Sequence, residues 1–120
     1  MTEARAWLDA RHPRPPASLR AAMARALDRS AAEPAGVLSS PARAAHGSPA
    51  GRLAGAALAA LREVVGGEGG RASAADLLAA DALLTYACEA AAEEGPAALE
   101  ALTVALGPGH FEGLLEGARP

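Results

Sequence analysis

At 120 residues with a net charge of -3, the chain is long enough for one hydrophobic core and short for two. Its single cysteine excludes an internal disulfide, and its three aromatic residues exclude a stacking platform for bases. Eight Arg against four acids give residues 1–52 a balance of +4, and three Arg against ten acids give residues 53–120 a balance of -7. That polarity can orient a protein partner, but it falls far short of the basic footprint of a nucleic-acid binder.

Helix punctuation recurs along the chain, and no run alternates with the period of two that a strand needs. A first short helix is expected over about Thr2 to Arg11, with Trp7 and Leu8 facing inward. HPRPP, His12 to Pro16, ends it, because proline disfavours helical backbone at the residue before it. A second helix over about Pro16 to Ala31 gathers Leu19, Met23, Ala26, Leu27 and Ser30 on one face. The stretch at about 32–48 mixes Pro, Gly and Ser with few apolar anchors and reads as a partly ordered loop.

Ser48-Pro49 is a helix start: an N-cap hydroxyl followed by proline at the first helical position. The helix to Val65 places Leu53, Ala57, Leu58, Leu61, Val64 and Val65 on one broad face. Gly51 and Gly55, four apart, would let another backbone approach closely. GGEGG, Gly66 to Gly70, stops it. Ser73 and Asp76 fit a capping box for a long helix that ends at Gly95. Pro96 begins a fifth helix lined by Leu99, Leu102 and Leu106, and a last short one covers about His110 to Glu116. The expected fold is therefore all-α, a compact bundle of four principal helices plus one or two short terminal helices. It forms a single domain over 1–120, with the two central helices antiparallel across GGEGG.

Asp81 stands out in the long helix. At about 100° per residue it falls on a stripe with Leu77, Leu84, Cys88 and Ala91, where a carboxylate is costly unless paired. Structural pairing with Thr85 or an arginine is the simpler reading. The alternative is a ligand pocket around Asp81, Thr85, Tyr86 and Cys88. A catalytic role would need a second group held nearby, and the chain has no HExxH, CxxC or DxxD. His12, His46 and His110 are scattered without metal-ligand spacing and read as solvated. Cys88 reads as a small buried residue rather than a nucleophile. GGEGGRAS follows a helix and lacks the phosphate-loop lysine. Arg71 and the amides after Ser73 could hold an anion, although a plain helix connector explains them.

DLLAADALLTYACEAAAE, Asp76 to Glu93, resembles the helix reading AGDALLTxAFE in trans-isoprenyl diphosphate synthases. Asp81, Ala82, Leu83, Leu84, Thr85, Ala87 and Glu89 are the shared residues. The resemblance covers that one helix and implies an all-helical fold. The paired DDxxD motifs with which that family binds magnesium-diphosphate are missing, so no catalytic role carries over.

Alanine supplies 35 of the 61 hydrophobic residues, leaving 26 larger apolar side chains, 16 of them Leu. A core so thin gains from a second subunit, so a homodimer is expected. Lys, Asn, Gln and Ile are absent, the bias of a GC-rich bacterial genome. The charged N-terminus lacks the apolar stretch of a signal peptide, and no run has the length of a membrane span. These features point to a soluble cytoplasmic protein. The function read from them is a helical interaction or assembly module that self-associates or binds another protein through Trp7, Leu8, Leu19 and Met23. No cofactor, metal, nucleic acid or membrane is expected. The rival reading is a small-ligand binder or minor enzyme at Asp81.

Overall fold

The computed structural model describes residues 3–32, 48–67 and 69–107, and all regular structure among them is helical. The five helices are α1 (Glu3–Asp9), α2 (Ala17–Ala32), α3 (Pro49–Gly66), α4 (Arg71–Glu94) and α5 (Pro96–Ala105). This is the expected all-α bundle, with four longer helices and a short N-terminal one. The expected loop lies, apart from its two ends, outside the described residues, as does the short helix at about 110–116.

Local signals set most of the boundaries. Ser48 has extended backbone and its Oγ accepts the Gly51 N–H at 3.1 Å, with Pro49 opening α3 behind it. Gly95 ends α4 and starts α5 in one step. Its N–H donates to the Ala91 carbonyl at 3.0 Å, and its φ of +120 with ψ of 177 is backbone that suits only glycine. Pro96 then takes the first position of α5, where its missing N–H costs nothing.

At the start of α4 the expectation needs correction. The helix begins at Arg71, behind Gly70 at φ +93, and no side chain caps it. Ser73 and Asp76 thus form no capping box: Ser73 already lies inside the first turn. Asp76 instead faces α2, its Oδ1 3.5 Å from Arg29 Nη2. The glycines explain the shift, because Gly69 and Gly70 complete the reversal within themselves and let the helix resume at once.

The centre of the bundle is the first three turns of α3. Every residue from Ala50 to Ala60 except Arg52 is buried, Gly51 and Gly55 included. The long α4, apolar most of the way round in its sequence, is instead the helix expected to be buried centrally. The reason for the difference is size. α3 is small on all sides there, so α1, α2, α4 and α5 can all approach it. Its most extensive contact is with α4, across the Gly-rich turn, as expected for the central hairpin. Met23, Leu53 and Leu83 are the largest fully buried side chains, and alanines fill most of the space between them.

α4 buries a different face from the one expected. Ala79, Ala80, Leu83, Ala87, Ala90 and Ala91 point inward, while Leu77 and Leu78 remain 50% and 61% exposed. The buried stripe is turned by roughly 100° from the Leu77–Asp81–Leu84–Cys88 stripe, one residue's step around a helix. Alanine wins the interface because it lets two helix axes come to the short end of the ~8–10 Å packing range.

The turn before α4 makes a sharp prediction. Gly70→Ala places a Cβ on backbone that only glycine adopts and should lower unfolding free energy by about 1–3 kcal/mol. Gly66→Ala, with nothing within 4 Å of the new Cβ and no positive φ, should be neutral or stabilise by about 0.4–1 kcal/mol. Urea titrations of the two variants measure both values.

Candidate functional site

α3 and α4 leave a groove along one side of their hairpin. Ala57, Leu58 and Leu61 form one wall, and Leu77, Ala80, Asp81 and Leu84 form the other. The groove holds about 180 Å³ and its lining surface is almost wholly apolar. The spacing explains the walls: positions 57, 58 and 61 on one helix and 77, 80, 81 and 84 on the other each cover a single face. Leu58 is buried, Leu61 and Leu84 are half-buried, and Leu77 stands out at the edge.

Among the described residues Asp81 is the one charged residue in this lining, and its side chain is exposed rather than sunk among apolar neighbours. The Thr85 hydroxyl donates to the Asp81 backbone carbonyl at 2.9 Å, the neighbouring turn of the same helix, and not to the carboxylate. The puzzle of an acid on an apolar stripe is thereby answered: the stripe faces outward and the acid sits on the groove rim. Of the expected pocket, only Asp81 lines the groove. Thr85 and Cys88 are exposed, and Tyr86 projects from the opposite side of α4. Cys88 is therefore not the buried small residue the sequence suggests. Cys88 lies about two turns beyond Asp81, and Tyr86 on the far side of the helix, so the four side chains do not converge.

Tyr86 instead belongs to a polar clasp that fastens α1. The Trp7 and Tyr86 rings meet edge to face, with centroids 6.2 Å apart and planes at 78°. Trp7 Nε1 donates to Glu93 Oε1 at 2.9 Å, and Arg11 Nη2 donates to Glu93 Oε2. The Arg11 guanidinium lies over the Trp7 ring, 3.7 Å from its centroid. One carboxylate near the end of α4 thus engages the C-terminal part of α1 and the residue two beyond its end. Hydrogen bonds from Arg11, then from Trp7, hold the Glu93 carboxyl below its usual 4.5.

The residues expected to face a partner are largely taken up by the chain itself. Met23 is wholly buried in the core, so it presents no surface. Trp7, Leu8 and Leu19 are half-buried and pack against that core. The inward face of α2 is Ala22, Met23, Ala26 and Leu27, which α3 and α4 cover. The Arg11–Glu93 pair gave no sign in the sequence, being 82 positions apart. The buried face of α4 did leave a trace: the run Ala80, Leu83, Ala87, Ala90 repeats every three or four residues and marks the true inward face.

His12 is exposed, whereas His46 and His110 lie outside the described residues. Among the described residues no three His, Cys, Asp or Glu side chains come together in a way that could hold a metal ion. Among the same residues no helix is long and apolar enough to cross a membrane. No protein-family model, curated protein or solved structure matches the chain.

The clasp predicts a pH response whose sign follows from Glu93. A carboxyl with a lowered folded pKa stabilises the docked state above about 4.5, and that contribution is lost as the pH falls through the lowered value. Acidification should therefore shift the fluorescence of the single tryptophan, Trp7, towards the red before global helicity falls. Glu93→Ala should show the red-shifted emission already at neutral pH, with α3 and α4 still helical by circular dichroism.

Proposed function

We propose that this protein is a small helical assembly module that pairs with a second copy of itself through the outer face of the α3–α4 hairpin. The observation that carries the reading is the apolar groove between Leu58, Leu61, Leu77 and Leu84, with a half-exposed leucine standing on its edge. A projecting side chain and a recess on the same face suit a two-fold interface, in which each copy supplies both. Leu78, 61% exposed one residue on from Leu77, adds further apolar surface to the outside of α4.

The composition supports the same reading. The core of one chain is built mostly from alanine, and pairing would add leucine burial that the monomer lacks. Asp81 on the rim fits the charged margin that surrounds the apolar centre of many interfaces. The partner surface in this reading is the hairpin, not the Trp7, Leu8, Leu19 and Met23 set, because those side chains serve intramolecular packing. The groove is also small and shallow in polar groups, which favours a protein side chain over a bound metabolite.

Sedimentation velocity at micromolar concentration tests the proposal. The wild-type chain should sediment at twice its 11.9 kDa mass. Leu77→Glu, made at a half-exposed position, should return it to the monomer mass without loss of helicity. A wild-type monomer, or a Leu77→Glu dimer as tight as wild type, would overturn the reading.

A further inference from the structure

A second cavity, of about 260 Å³, opens between α1, the 11–16 connection and the first half of α2. Its floor is made by α2, where Ala17, Ala21 and Ala24 repeat at helical spacing and leave room that larger side chains would fill. Three guanidinium side chains reach its walls from three different parts of the chain: Arg5 from α1, Arg14 from the connection and Arg20 from α2. Among the described residues of the lining, Asp9, one turn after Arg5 on the same face of α1, is the single acid. Arg14 and Arg20 bring two positive charges to the walls that no ion pair with another described residue engages.

We propose that this cavity binds a small hydroxylated phosphomonoester, its phosphate held among Arg5, Arg14 and Arg20 and a ligand hydroxyl donating to the Asp9 carboxylate. The two charges of Arg14 and Arg20 match a phosphate that carries nearly two negative charges at neutral pH, and exceed what one carboxylate would neutralise. Guanidinium forks suit oxyanions because each presents parallel N–H groups to two oxygens. The positive end of the α2 dipole, at Ala17 on the floor, adds to the same sign. Arg14 and Arg20 are exposed and make no ion pair with another described residue, so an incoming anion displaces no carboxylate from them. The volume sets the class: it lies just under the range of about 300–1,000 Å³ of drug-sized pockets. A phosphate and a short carbon skeleton fit, and a polymer backbone does not. Leu8 and Pro15 supply the apolar contact for that skeleton.

The site lies on α1 and α2, apart from the hairpin groove, and does not depend on self-association. Isothermal titration of the full chain, at constant ionic strength, with glycerol 3-phosphate, inorganic phosphate and glycerol tests it. The phosphomonoester should bind saturably at one site per chain, inorganic phosphate more weakly, and glycerol not at all. Arg14→Gln and Arg20→Gln should each weaken binding about tenfold or more. Arg25→Gln, on α2 but outside the cavity, should leave it unchanged. Unaltered helicity in these variants, all at exposed positions, would show that the loss is local. Absence of saturable binding at millimolar ligand would overturn the proposal, as would equal weakening by Arg25→Gln. Equal affinity for inorganic phosphate would overturn the assignment to an ester.

Discussion

The close approach of α3 and α4 is the contact on which the rest of the molecule depends. The buried positions of both helices are mostly alanine, so the two can come together closely. Ala54, Ala57, Ala60, Ala79, Ala80, Ala87 and Ala90 make that possible, and Leu53 and Leu83 plug the space that remains. Dispersion contacts fall away over a fraction of an ångström, so small side chains stabilise only when the backbones are close. Such an interface tolerates little enlargement. It also turns the bulkier leucines of α4 away, because only a small-residue stripe can face α3 at that distance.

That displacement creates the surface on which the proposed function rests. Leu77 and Leu78 are exposed as a consequence of alanine packing, not of any polar requirement in the neighbourhood. The groove between Leu58, Leu61, Leu77 and Leu84 is the outer margin of the same hairpin. A single structural choice therefore fixes both how the chain folds and where a second copy would be expected to pack.

The N-terminal segment follows a different logic. α1 has seven residues and buries only Ala4 completely, too little for a helix to hold its place by apolar burial alone. Trp7 and Arg11 compensate by converging on Glu93, a side chain 51% exposed, so the clasp is accessible to solvent and to protons. Its geometry holds α1 beside α4, and α1 in turn forms one wall of the arginine-lined cavity. The proposed binding of a phosphomonoester thus depends on a contact formed by residues far apart in the sequence.

The sequence by itself determined the helical class and most helix ends. Ser48-Pro49, the Gly66–Gly70 run and Gly95-Pro96 act through local sterics and capping, which need no distant partner. Tertiary structure decided which face of α4 is buried, because its leucine and alanine stripes are both apolar and differ by one step of rotation. Hydrophobicity alone favours the leucines, while the distance to α3 favours the alanines. Only packing in three dimensions could choose. It likewise decided that Asp81 meets solvent, that Asp76 faces Arg29, and that Glu93 joins Trp7 to Arg11, since each outcome depends on where a second helix lies.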